Sequence, residues 1–361
     1  MSWTSACSLL ALVALAAAPA GASRSADSVP EAVDIMALSP EIERFIDDRV
    51  PPDMPRSVRA QGLMDALFGK NGLDVTYGNA KTRTAVETFE SRSGNCLSFT
   101  ILFVALARHV GLEAHFQEVS EILSWDRRGD VAVSNRHMFA EVETGDGPKQ
   151  VDFLPGIEKR YRLVRRIDEQ RVLAHYYSNL GAEALTEDDL DLAMQMFTRA
   201  LEADDTLAAA WVNMGVTRRR LGQLEKAEAS YLRALELNPD EISAASNLAG
   251  LYQTTGRDRQ AGPYLKQVKK HRRNNPFYHF QRGREAANRG DLRVAGRRLK
   301  KAIRLIPDDV MFRTELGKIQ ARGGRFRKAE RSYVKALRLT TDDRQRVILE
   351  ELLKQARASA A

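Results

Sequence analysis

The chain has 361 residues, enough for two or three domains with real cores, and 43% of them are hydrophobic, an ordinary globular share. Its 55 Lys and Arg outnumber 48 Asp and Glu for a net charge of +7, which directs attention to acidic partners. Cys7 and Cys96 are the only cysteines, so the fold cannot rest on a disulfide framework.

Residues 1–22 read as a secretory signal peptide. SACSLLALVALAAAPAGAS carries no charge, and its apolar stretch, Leu9 to Ala18, is too short to span a bilayer as a helix. It ends in Ala20-Gly21-Ala22, an A-x-A cleavage pattern, although no Lys or Arg precedes the apolar run. Cys7 lies before that run, so it does not look like a lipoprotein cysteine. Cleavage after Ala22 predicts a periplasmic or secreted protein. Its mature chain would have a single cysteine, Cys96, no internal disulfide and no transmembrane segment.

Residues 23–57, rich in Ser, Pro, Asp and Glu, read as a linker with one short helix around Pro40–Asp47. A mixed pattern follows over 58–165. It predicts helices at Val58–Phe68 and Cys96–Val110, a strand at Glu113–Val119 and a strand at Arg136–Glu143. In the last of these Met138, Ala140 and Val142 share one face and Phe139 and Glu141 the other. Gly145-Asp146-Gly147 is a turn signal, and Gln150–Leu154 reads as a second short strand closed by Pro155-Gly156. A helix followed by a hairpin is an α+β pattern.

The helix after Cys96 is apolar nearly all round (Leu97, Phe99, Ile101, Leu102, Phe103, Val104, Leu106) and belongs in a core. Gly94 permits a tight entry and Asn95 is a good cap, so Cys96 opens a buried helix whose positive end stabilises a thiolate. A thiolate nucleophile needs a base and an orienter. His137 opens the first strand of the hairpin and Asp152 lies beyond the Gly-Asp-Gly turn, where antiparallel pairing can bring the two together. His109, His115, His175, His271 and His279 read as structural, and Glu87 and Glu90 as a solvated helix face. No histidine pair has metal-ligand spacing, so no metal and no cofactor are expected.

These motifs, Gly-Asn-Cys at a helix start, ALARHVGLEA after it, His in RHMFAEVE and Asp in QVDF, resemble the transglutaminase-like superfamily of papain-type cysteine enzymes over about residues 80–165. The resemblance implies Cys96 as nucleophile, His137 as general base and acid, and Asp152 as orienter of the imidazole. It implies acyl transfer through a thioester, ending in hydrolysis or crosslinking. The Cys96 backbone N–H would be one oxyanion donor. A second donor is open among Tyr77, Asn79 and Thr82–Thr84, and Trp125, in a loop before the His strand, would wall the site.

From about residue 174 a period of 34 appears. Its second copy carries Trp211, Met214, Gly215, Ala227, Tyr231, Ala234 and Pro239, and related residues recur in five in-phase copies over 174–343. Small residues such as Gly215 and Ala227 let two antiparallel helices approach, while Tyr231 and Leu235 would fill the gap between copies. Pro239 punctuates the repeat. Units of this kind bury a core by stacking, so an all-α solenoid closed by a helix over 344–358 is expected, with a short tail to residue 361.

The pattern resembles the tetratricopeptide repeat (TPR) family, and the whole chain resembles bacterial transglutaminase-like domains fused to such repeats. The family implies a protein- or peptide-binding groove lined by the first helix of each repeat. Arg219, Arg220, Arg284, Asn288, Lys318 and Arg322 would face it. Between Arg257 and Arg338, 25 Lys and Arg stand against 7 Asp and Glu, a basic surface suited to an anionic partner. Aromatic interleaving is sparse, so nucleic acid is not expected. Two functions remain open: a cysteine-dependent amide hydrolase or acyltransferase with a recruiting solenoid, or a binding scaffold with a vestigial front domain.

Overall fold

The computed structural model describes residues 33–51, 53–69, 72–73, 75–77, 81–128, 131–153, 161, 163–340 and 343–360. The signal-peptide reading, Asn79 and the Pro155-Gly156 closure lie outside them. No helix among the described residues is long and apolar enough to cross a membrane.

The front half begins with α1 (Pro40–Asp47), capped by the Ser39 side chain, then α2 (Arg56–Phe68). Of the segment expected to be a linker, the described residues hold the expected helix and also contribute to the core. Ile35, Ile42, Ile46 and Val50 are all buried, because α1 is amphipathic and lays its two isoleucines toward the front-domain helices. Strand β1 (Thr76–Tyr77) pairs in parallel with β2 (Ser93–Gly94), and between them runs α3 (Ala85–Ser91), opened by a Thr84–Glu87 capping box. Helix α4 (Cys96–His109) follows at once, and every residue from Leu97 to Ala107 is buried.

A four-stranded sheet packs on α4, in the order β5-β4-β3-β6. Its members are β3 (Ala114–Arg128), β4 (Val131–Thr144), β5 (Gly147–Val151) and β6 (Val164–Ile167), all antiparallel to their neighbours. The β3–β4 hairpin is longer than the alternation in the sequence suggests, with an irregular register between Val119 and Ser124. Trp125 therefore belongs to strand β3, opposite Ser134, and not to a loop. The second hairpin strand is Gly147–Val151, not Gln150–Leu154, and the sheet runs to Ile167, past the boundary expected at 165.

Ten helices then alternate in five pairs: α5 (Glu169–Thr186) with α6 (Leu190–Ala203), α7 (Ala208–Arg220) with α8 (Leu224–Leu237), α9 (Ile242–Thr254) with α10 (Asp258–Asn274), α11 (Pro276–Asn288) with α12 (Leu292–Leu305), and α13 (Val310–Arg322) with α14 (Phe326–Leu337). Helix α15 (Asp343–Ala358) packs on α14 and closes the stack. The first pair starts at Glu169, ahead of the position 174 at which the period becomes visible. First helices touch first helices along the row (α5 on α7, α7 on α9). Strand β3 lies against α11 and β4 against α9, so the hairpin reaches the repeats.

Two 34-residue series of special positions explain the pair geometry. A Cβ on Gly215 would sit 2.6 Å from the Tyr231 ring, and Gly181, Gly283 and Gly317 face Phe197, Leu299 and Tyr333 in the same way. Tyr231 thus plugs against the first helix of its own repeat as well as packing on Ala244 and Leu248 of the next, rather than only filling the gap between copies. Between the two helices of each pair stands a residue in the left-handed region: Asp188, Gly222, Gly256, Gly290 and Gly324.

Candidate active site at the start of α4

Three elements bring chemistry to one place. Gly94 must be glycine, since a Cβ there would meet Ser98 Cβ at 2.9 Å, and this close approach lets β2 turn directly into α4. Asn95 then caps the helix: its Oδ1 accepts from the Ser98 N–H at 3.0 Å, and its Nδ2 donates to Thr82 Oγ1 at 2.8 Å. Cys96, half-buried and reduced, occupies the first helical position, where backbone N–H groups lack helical acceptors and the dipole is positive.

Strand β4 carries His137, opposite Val119 of β3 and 4% exposed. The β4–β5 register pairs Ala140 with Val151. One further step sets Asp152 beside Phe139, diagonal to His137, and His137 Nε2 meets Asp152 Oδ1 at 2.7 Å. That leaves Nδ1 as the ring nitrogen not engaged by Asp152. Burial disfavours the imidazolium, but hydrogen bonds to Asp152 and Cys96, and their negative charge, outweigh it. The His137 pKa is raised from 6.5 to about 9. The Thr100 hydroxyl donates to the Cys96 carbonyl at 2.7 Å and also contacts the Met138 carbonyl at 3.4 Å, which ties α4 to β4 next to the histidine.

Asp152 is held by its neighbours. Phe153 packs among Phe68, Phe99 and Phe103, with ring centroids 5.5, 5.9 and 5.8 Å apart, and anchors the chain just past the end of β5. Tyr161 was not singled out by the sequence, yet its hydroxyl donates to Asp152 Oδ2 at 2.5 Å. Its ring lies 5.4 Å from His137 and stacks on Phe139 at 5.5 Å. Lone tyrosines carry no spacing signal, and only the fold returns this one to the hairpin.

The oxyanion donors narrow as well. The backbone N–H groups of Thr82, Arg83 and Thr84 donate to Glu183, Ser98 and Glu87 respectively, so all three are committed to structure. The Cys96 N–H stands at the start of α4, among the backbone N–H groups that have no helical acceptor.

The groove residues expected on the repeats do not act alike. Arg220 donates to the Leu185 carbonyl at 2.9 Å and Arg322 to the Ala287 carbonyl at 3.1 Å. Each reaches the first helix of the preceding repeat, so these guanidiniums staple neighbouring copies. Lys318 pairs with Glu315 at 3.7 Å, and Arg284 lies over the Phe280 ring. Asn288 ends α11, and Arg219 approaches Gly250 of the following repeat.

Comparison with known proteins divides the chain the same way. Residues 47–152 match the model of the transglutaminase-like superfamily, a span that contains Cys96 and His137 and ends on Asp152. Residues 158–352 match the family described as the cilia and flagella-associated protein 70 C-terminal domain. Mouse protein O-mannosyl-transferase TMTC1 is 34% identical over 98 residues, which is 27% of this chain and 10% of that protein. Lipopolysaccharide assembly protein B of Escherichia coli K12 is 29% identical over 103 residues, 28% of this chain and 26% of that protein. The chain thus spans only a tenth to a quarter of the length of these curated relatives. Among solved structures, a thermophilic TPR protein of Thermus thermophilus is 22% identical with a TM-score of 0.27, covering 52% of this chain and 98% of that one.

Proposed function

We propose that this chain, which belongs to the family described as the cilia and flagella-associated protein 70 C-terminal domain and carries a transglutaminase-like domain ahead of it, is a cysteine-dependent amide hydrolase or acyltransferase. The observation that carries the reading is the 2.7 Å hydrogen bond from His137 Nε2 to Asp152 Oδ1, beside a reduced cysteine at the start of a buried helix.

In this reading Cys96 Sγ, as thiolate, attacks an amide carbonyl carbon while the Cys96 N–H and the α4 dipole receive the oxyanion. His137, protonated at neutral pH with its pKa near 9, delivers its proton to the leaving nitrogen as the C–N bond breaks, and a thioester remains. Water or an amine then attacks the thioester, His137 takes up the proton, and the thiolate departs. Asp152, steadied by Tyr161, holds the ring so that Nδ1 faces the sulfur throughout. The repeats serve as the protein- or peptide-binding module, with their basic second half toward an anionic partner. The short apolar stretch from Leu9 to Ala18 and the A-x-A pattern after it support a periplasmic or secreted location.

The test is alkylation of Cys96 by iodoacetamide across pH in the full chain and in His137→Ala. Labelling that stays fast at pH 6 in the wild type and collapses in the variant is the expected result. Equal rates in both would leave the cysteine structural and favour a binding scaffold.

A further inference from the structure

Seven cations of the repeats line one cleft. Between α12, α13 and α14 lies a cleft of about 710 Å³. Arg297, Lys300 and Arg304 form one wall on α12, and Lys328, Arg331 and Lys335 form the other on α14. Both triplets follow i, i+3, i+7 spacing, so each lies along a single helix face. The floor is apolar, made by Ile303 and Leu316. Arg313 stands at the cleft too, held by donating from Nε to the Pro307 carbonyl at 2.9 Å.

One feature separates this cleft from an ordinary solvated basic face. No carboxylate lines it. Among the described residues none of the six wall cations is in an ion pair, as holds for most Lys and Arg between Arg257 and Arg338, so within the cleft their charge meets no compensating carboxylate. Six like charges facing one another over an apolar floor repel, and the arrangement gains when an anion enters. Arg297 also lines an adjoining cavity of about 300 Å³ with His279, Arg298 and Lys301. There burial, with the positive charge of Arg298, Lys301 and Arg304, lowers the His279 pKa, which reports the same field.

We propose that this cleft binds a short acidic peptide segment, an apolar side chain seated on Ile303 and Leu316 and carboxylates received by the two cationic walls. The proposal deepens the reading of the repeats as a peptide-binding module and is independent of Cys96 chemistry. The seven-residue span of each wall covers ~10 Å of helix, the length of about three extended residues. The cleft shape favours a peptide over a bilayer, because the apolar floor lies beneath the charged walls. It favours a peptide over nucleic acid, because no aromatic ring lines it for base stacking. The site faces away from the row of first helices. On α13, Arg313, Leu316 and Gln320 line the cleft, while Lys318 and Arg322 occupy the opposite side of the helix.

The experiment is fluorescence polarisation of labelled Ac-EELEE-NH2 with the full chain at low and high salt. The variants are Arg297→Glu/Arg331→Glu, Lys300→Glu/Lys335→Glu and the control Lys226→Ala, an exposed cation of α8 outside the cleft. The substituted wall residues are exposed on the surface, so the folded chain tolerates the changes, and an unaltered thermal melt checks this. The expected result is salt-sensitive binding by the wild type and Lys226→Ala, weakened at least tenfold in both charge-reversal pairs, with Cys96 alkylation unchanged in all. Absence of binding, equal binding by the charge-reversal pairs, or a charge-reversal-sensitive preference for phosphatidylserine vesicles or a single-stranded oligonucleotide over the peptide would overturn the proposal.

Discussion

The backbone N–H of Thr82 donates to Glu183 Oε1 at 2.7 Å, joining the segment in front of α3 to the first repeat helix. The Thr82 hydroxyl oxygen in turn accepts from Asn95, which caps the helix that starts with Cys96. Two hydrogen bonds therefore connect the solenoid to the residue next to the sulfur. Glu183→Ala is expected to cost about 1.5–3 kcal/mol, the range for a hydrogen bond to a charged group, and to slow Cys96 alkylation. Rates and urea midpoints measured together on the full chain decide it. A variant with normal labelling and a normal midpoint would mean the connection carries no load.

His137 makes stability depend on alkaline pH. Its folded pKa of about 9 lies above the 6.5 of the free ring. Its contribution is therefore fully present below pH 6.5 and is lost as pH rises through 9. The size is on the order of 3 kcal/mol. Melting temperatures from pH 6 to 10 should fall in the wild type and fall less in His137→Gln. Parallel curves would contradict the assignment.

Asp152 and Tyr161 control the ring. Asp152→Asn retains a hydrogen-bonding group but removes the charge, so the His137 midpoint followed by NMR should drop by about a unit or more. Tyr161→Phe removes the donor to Asp152 Oδ2 and should shift the midpoint in the opposite direction to Asp152→Asn, since a less satisfied carboxylate attracts the ring proton more strongly. A Tyr161→Phe midpoint that moves downward would mean the hydroxyl acts in some other way.

Glu118 anchors the sheet to the repeats. This buried carboxylate receives Arg165 at 2.7 Å, lies 3.5 Å from Arg171 and 3.2 Å from His175, and Arg171 reaches on to Asp204 at 2.8 Å. Burial opposes its charge, yet His175, Arg171 and Arg165 hold its pKa far below the usual carboxylate range. Glu118→Gln should destabilise by about 3–5 kcal/mol, as expected when one partner of a buried pair is removed. The contribution is present above pH 4.5 and lost as pH falls, so the stability gap between wild type and variant should narrow below pH 4.5. Denaturant titrations at pH 7 and pH 4 provide the check.

Three glycines test the repeat geometry. Gly215→Ala drives a methyl into the Tyr231 ring and should cost about 1–3 kcal/mol. Gly222→Ala must hold φ near +73° and should cost ~1 kcal/mol. Gly250→Ala meets nothing closer than 3.8 Å within a helix and should gain up to ~1 kcal/mol. A urea series in which Gly215→Ala is no worse than Gly250→Ala would refute the role given to Tyr231.

The α+β front and the five-copy solenoid were legible in the sequence because both rest on short-range patterns. The 34-residue step of Gly, Ala and Tyr is set by helix-on-helix packing inside each repeat. The all-apolar run after Cys96 and its Asn95 cap are local to one helix. Cys96, His137 and Asp152 could be singled out the same way, each by its immediate context. What required the tertiary structure lies at long separation. The diagonal register that sets Asp152 beside His137, the return of Tyr161 to that pair, the tie from Glu183 to Thr82 and the burial of α1 join residues with no shared periodicity. The basic cleft is the same kind of feature: composition located the charge, but only the packing of α12 and α14 on α13 brought cations of the two second helices to one cleft. Local sequence specifies elements and their faces through φ/ψ preference and hydrophobic period, while the distance between two faces is set by how all the elements pack together.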